Sequence, residues 1–280
     1  MSEMLKTLAA AQTWAMERVH LSALIRAAHE VDLSERLQTM PMDDEEMDLS
    51  PYGLAGVTVQ DGLALVPVQG SIVKEVPMWW RAMDCQACGM IELQAALREI
   101  AADPQVQKVL LVVDSPGGTV SGVAETAGTV ARLNRTKPVY AAISDLGASA
   151  AYWIASQARQ ISANGTAHVG SIGVYTVLAD THMLAAREGV DVTVVSSGAE
   201  KGAGIDGTKL TPVQLAAMQE NIDDLAAAFF SEVQRGRRLT DARLAEVTTG
   251  RTWIAPRALA LGLVDKVESL DVTVGRLLNV

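Results

Sequence analysis

A chain of 280 residues, 49% of them hydrophobic, can bury a sizeable core as one large domain or as a domain with an appendage. Its formal net charge of −10 argues against a nucleic-acid partner, which needs a basic face. Two cysteines, Cys85 and Cys88, are too few for a structural zinc site of about four ligands, and nowhere do about 18 uncharged apolar residues run together as a membrane-inserted helix requires.

The N-terminal stretch MSEMLKTLAAAQTWAMERVHLSALIRAAHE lacks a basic start followed by a pure apolar run, so it does not read as a secretory signal. These exclusions predict a soluble, cytoplasmic chain. Within residues 4–37, Leu5, Leu8, Trp14, Val19, Leu21, Leu24 and Ile25 recur at helical spacing. That predicts an arm of one or two amphipathic helices for packing or oligomer contact. The polar face is too poor in lysine and arginine for a membrane-surface helix. The acidic run Asp43-Asp44-Glu45-Glu46 predicts a solvated linker. Residues 1–50 are thus set apart as helical arm and linker, and 51–280 as the main domain.

At Val57 the register changes. VTVQ and LALVPV flank Asp61-Gly62, the signature of a tight hairpin. Residues 70–90, with Trp79, Trp80 and the CxxC, show no period and predict a long loop. Its tryptophans either meet a partner or fold back onto the core. The lone CxxC reads as two small loop residues, with a redox role or a local disulfide as rivals. From 91 onward, IELQAALREIAAD predicts a helix, KVLLVVD a buried strand, SPGG a turn and TVSGVAETAGTVARLN a helix. VYAAIS then predicts a strand, DLGAS a turn and AAYWIASQA a helix. Repeated strand–turn–helix units predict an α/β fold with parallel strands. Such sheets collect functional groups at the C-terminal ends of their strands, where SPGG and DLGAS both fall. Further on come a helix in DTHMLAAREG closed by Gly189, a strand in VDVTVVSSG and a loop in GAEKGAGIDG. A long helix over roughly 211–236, a shorter one from Thr240, a helix stopped by Gly262, a brief strand and a last helix complete the chain.

Ser149 is the first candidate for chemistry. Gly147, Ala148, Ala150 and Ala151 leave its hydroxyl uncrowded, and a strand–sharp turn–helix context is how several unrelated hydrolases present a nucleophile. The helix after it offers unpaired N–H groups to a developing anion. A serine needs a base. Of four histidines, His20 and His29 lie in the arm and His182 in a surface-type helix, while spacing leaves His168 open. The alternative is Lys201, among Gly198, Gly202 and Gly204 after a predicted buried strand. A lysine serves only in its neutral form, which burial or a neighbouring positive charge favours. Asp114-Ser115-Pro116-Gly117-Gly118 suits an oxyanion hole or, as a rival, a phosphate cradle. It fits neither dinucleotide nor P-loop spacing. Ser115 reads as a turn or cap residue.

DSPGG at 114–118, SAAYWIAS at 149–156, GSIGV at 170–174, SGAEKGAG at 197–204 and GRTWIAPRALALGLVD at 250–265 together resemble the S49 family of serine peptidases, the signal-peptide-peptidase A type. Within it they are most similar to the phage head-maturation branch. The resemblance spans roughly residues 57–268. It implies a ClpP/crotonase-type spiral of ββα units behind the N-terminal helical arm, in a homo-oligomer. It implies Ser149 as nucleophile, Lys201 as general base and Ser171 orienting the lysine. Gly118 and the N–H of Ala150 would form the oxyanion hole, with Gly117 and Gly147 in contact with substrate. No metal and no cofactor are implied. The expected substrates are scaffold or capsid proteins, in the host cytoplasm or the prohead interior. Ala150-Ala151 replaces the Gly-Gly common in cellular members, whose membrane anchor also finds no counterpart here. Rival expectations are a cytosolic signal-peptide-peptidase-like enzyme, an acyl-CoA enzyme of crotonase fold, and a catalytically silent assembly protein.

Overall fold

The computed structural model describes residues 14–16, 52–77, 80–81 and 85–279. Trp79, the acidic linker and most of the expected helical arm lie outside the described residues. The described part of the arm, β1 (Trp14–Met16), is a strand and not the helix its spacing predicts. It is held extended by an antiparallel ladder with the main domain.

β2 (Thr58–Gln60) and β3 (Leu63–Val73) form the expected hairpin. Gln60 pairs with Leu63 across Asp61 and Gly62, whose φ values of 48° and 78° suit a tight turn. β4 (Ala87–Gly89) pairs with the end of β3, so the irregular stretch is shorter than expected and Cys88 is a buried strand residue, not a loop residue. Burial, reinforced by the charge of Glu92, pushes its thiol up to about 12. Trp80 is buried too, and so folds back onto the core.

α1 (Met90–Ala102) buries Met90, Leu93, Ala96, Leu97 and Ile100, one face of a helix at its natural period. β5 (Lys108–Thr119) follows, then α2 (Val123–Leu133), which buries Val123, Ala127, Val130 and Leu133. β6 (Val139–Ala148), α3 (Ala150–Ala155), β7 (Gln160–Ala163) and β8 (His168–Gly170) complete the central part. The long strands run parallel, in the order β7–β6–β5–β3.

Each long strand is split in two. Register shifts fall between Gln69 and Ser71 in β3 and between Val113 and Ser115 in β5. β6 pairs with β7 as far as Ile143 and with β8 from Leu146. A split strand plus its helix is a ββα unit, and the chain winds through successive units, the spiral the family resemblance implies. SPGG and DLGA are therefore the second halves of strands, not turns. Gly117 and Gly118 pair with Ser71 and Ile72, and Gly147 and Ala148 with Val169 and Gly170. Ladder partners on a neighbouring strand override the turn preference of glycine.

The remaining elements are α4 (His182–Arg187), α5 (Pro212–Arg237), α6 (Asp241–Val247), β9 (Thr252–Ile254), α7 (Ala255–Ala260), β10 (Lys266–Val267) and α8 (Leu270–Leu278). α5 begins at a capping box in which Thr211 and Gln214 exchange hydrogen bonds, with Pro212 in its first turn. Gly189 and Gly262 take the positive φ expected of helix-closing glycines. The strand predicted at 190–198 is not there: the segment is irregular and mostly exposed, with no neighbouring strand to pair with among the described residues.

Candidate active site

Ser149 stands at the junction of β6 and α3 with φ 55° and ψ −120°, a conformation that glycine favours. Holding a serine there costs about 1–3 kcal/mol, and the surroundings enforce it. Its N–H donates to the carbonyl of Gly170 at 2.7 Å, and its carbonyl accepts from Trp153 N–H at 2.9 Å. Ala148, Ala150 and Ala151 are fully buried around it. The hydroxyl makes no capping bond to α3.

α3 is pinned from behind. The Trp153 ring stacks on Phe229 of α5 with centroids 4.4 Å apart, and its Nε1–H donates to the Glu232 carboxylate at 2.7 Å. The Tyr152 hydroxyl donates to the Leu263 carbonyl at 2.7 Å, and burial raises its pKa. The second half of α5 and the C-terminal segment thus fix the helix that carries Ser149.

Ser171 lies next to this junction. Ala148 and Gly170 are register partners on β6 and β8, and Ser149 and Ser171 are the residues that follow them. Both serines are buried and both have positive φ. The Ser171 N–H donates to the Arg251 carbonyl at 2.8 Å, and β9 pairs antiparallel with β8. The Trp253 ring lies over Gly170, where a Cβ would come within 2.8 Å of it. The GRTWI stretch is thus a clamp on the Ser171 loop.

β5 supplies the facing wall. Ser115 pairs with Gly147, the last contact before β5 and β6 diverge. The Asp114 carboxylate accepts from the Leu146 N–H at 3.1 Å across the divergence. The Ser115 hydroxyl donates to the Gly70 carbonyl at 2.6 Å and accepts from the Gly117 N–H at 3.1 Å, so Ser115 ties β5 to β3 as a strand residue and not as the turn or cap residue expected. Gly118 touches β3 so closely that a Cβ would fall 1.6 Å from the Ile72 carbonyl oxygen. Gly117, Gly118, Gly147, Ser149, Ala150 and Ser171 are therefore brought to one end of the sheet.

Lys201 is not. It is exposed, in a turn whose backbone N–H reaches the Gly198 carbonyl, and no buried strand precedes it. It lines a cavity of about 470 Å³ with His182, Asp191, Lys209 and Gln214, and neither Ser149 nor Ser171 is on that wall. No hydrogen bond joins Lys201 to either serine among the described residues. Lys201 belongs to an exposed arm, 175–228, which has no buried residue. His168 is exposed on β8, and His182, also in the arm, hydrogen-bonds Asp180 and so lowers that carboxyl's pKa. No cluster of three or more metal-ligating side chains occurs among the described residues.

The sequence profile of peptidase family S49 matches residues 131–279, more than half of the chain, from the last residues of α2 through α8. The chain belongs to peptidase family S49. Similar relatives include capsid assembly protease C of Escherichia phage lambda, 30% identical over 85% of this chain and 53% of that protein. Head-tail preconnector protein GP5 of Enterobacteria phage P21 is 32% identical over 78% of this chain and 45% of its own. The chain spans about half the length of these curated relatives. Among solved structures, the ClpP catalytic domain of Plasmodium falciparum overlays 73% of this chain and 85% of its own, with TM-score 0.46 and 10% identity. No helix among the described residues is long and apolar enough to cross a membrane.

Proposed function

We propose that this S49 chain is a serine endopeptidase with a Ser149–Lys201 dyad that processes phage scaffold or capsid proteins. The observation that carries the proposal is Ser149 itself: a strained, buried serine among alanines at a strand–helix junction, beside the end of β5 from which β6 has diverged. The phage substrate class is supported by the name and the similarity of the lambda relative.

An extended peptide adds as a strand along the Gly117–Thr119 end of β5, main-chain hydrogen bonds giving affinity. The Ser149 hydroxyl attacks the scissile carbonyl as the neutral Lys201 amine takes its proton. The N–H groups of Ala150 and Gly118 donate to the oxyanion; losing one such donor costs about 3 kcal/mol of barrier. Ser171 accepts from the lysine and aims it. Lys201 then protonates the leaving amine, and water releases the acyl group. No metal or cofactor takes part.

The exposed position of Lys201 in the single chain fits a dyad completed by assembly. The arm around it exposes Val177, Met183, Leu184, Val190 and Val195, the last at 94%. A second copy that covers these residues brings Lys201 to the Ser149 of its neighbour. The test is incubation of the full chain and of Ser149→Ala with a co-expressed scaffold, followed by mass spectrometry and by labelling with a fluorophosphonate. Wild type is expected to cut and to label at Ser149 alone, with a rate rising toward alkaline pH. A rate peaking in mild acid overturns lysine as the base, and absence of both cutting and labelling favours a silent assembly protein.

A further inference from the structure

Beyond Ser115, β5 continues to Thr119 while β6 turns off into Ser149. A strand has two edges. β3 holds one edge of this part of β5, through Ser71 with Gly117 and Ile72 with Gly118. The other edge faces the space that β6 has left, on the Ser149 side. That edge is occupied: β1 pairs antiparallel with it, Trp14 with Thr119, Ala15 with Gly118 and Met16 with Gly117.

We propose that Trp14–Met16 is a resident blocking strand, an intramolecular competitor on the peptide-binding edge that a substrate must displace before Ser149 can act. This rests on the peptidase proposal for its consequence, though not for its placement. A substrate strand pairing with Gly117 and Gly118 on the Ser149 side needs the same backbone donors and acceptors that β1 now uses, and a strand edge pairs with one partner at a time. The block is built to be reversible. It is a three-residue strand, and it leaves the Thr119 hydroxyl buried without a hydrogen-bond partner among the described residues. A longer peptide that satisfies Thr119 therefore has the advantage.

A competitor tethered in the same chain lowers the competent fraction and leaves the chemical step untouched. A strand in place nine-tenths of the time raises the apparent KM about tenfold with kcat unchanged. Proline removes a backbone donor and cannot continue a ladder. Ala15→Pro and the double variant Trp14→Pro/Met16→Pro together cover both hydrogen-bonding phases of an antiparallel pair.

The experiment uses the full chain. KM and kcat are measured on a fluorogenic peptide with alanine before the cleaved bond. Amide exchange of the 117–119 segment is measured separately in a Ser149→Ala background. The expected result is faster exchange at 117–119 and an apparent KM lowered several-fold at constant kcat in at least one proline variant. Unchanged exchange and unchanged KM in both variants, with wild type active, overturn the blocking strand and leave the peptidase proposal standing. Faster exchange with no hydrolysis or fluorophosphonate labelling in any form places the strand as described but overturns its gating role together with the peptidase proposal.

Discussion

Two regions of this chain carry the residues of one proposed dyad, and they are built in opposite ways. Around Ser149, every neighbour is buried: Ala148, Ala150, Ala151, Tyr152 and Trp153 sit in the spiral core, and β8 and α5 lock them from both sides. Around Lys201, the chain is a run of turns with apolar side chains facing outward. A nucleophile needs a fixed, strained backbone, and only dense packing holds one. A segment that is to meet a second molecule has to keep its apolar surface available until it does.

The largest expected effects lie where this contrast is sharpest. Lys201→Met should lower hydrolysis about 10²- to 10⁴-fold, the range for loss of a general base. Because Lys201 is exposed, the thermal midpoint should not move. A stability loss matching the activity loss would instead make Lys201 a structural residue.

Trp153→Ala attacks the other region. It removes the stack on Phe229 and the bond to Glu232, and should cost about 3–5 kcal/mol in urea unfolding. Below 1 kcal/mol, the account of how α3 is pinned would be wrong.

Val195→Asp should change monomer stability by about 0.5 kcal/mol or less, since the side chain is exposed. It should nonetheless shift the sedimentation profile toward smaller species and reduce activity in parallel. An unchanged profile would remove the arm from the assembly interface.

The smallest effect concerns pH. Burial raises the Glu268 pKa, but hydrogen bonds from Arg276, Ser162 and Thr273 outweigh it and hold the carboxyl below its usual range. The stability it contributes is present above the unfolded-state carboxylate value and is lost as pH falls through the lower folded one. Unfolding measured from pH 6 downward should therefore show a smaller acid loss in Glu268→Gln than in wild type. Equal losses would assign the acid sensitivity elsewhere.

What the sequence made legible follows the same division. Local signals were enough for the Asp61-Gly62 hairpin, the Thr211 and Thr240 helix starts, and the small residues around Ser149, because each is decided within a few residues. SPGG was misjudged because two glycines read locally as a turn, while partners 45 residues or more away hold them in a ladder. The 190–198 segment errs in the reverse sense: its valines alternate like a strand, but no strand pairs with it among the described residues. β1 is hidden inside a helical period, and what explains it is the edge of β5 that β6 leaves and β1 fills. The nearness of Ser171 to Ser149 depends on the β6–β8 register, which spacing does not encode.

The most direct measurement mixes two inactive variants, Ser149→Ala and Lys201→Met, after dissociation and reassembly at equal amounts. If the arm of one subunit serves the serine of its neighbour, random assembly restores about a quarter of wild-type activity. No recovery, with the mixed oligomer shown to form and wild type active after the same treatment, would contradict a dyad shared between subunits.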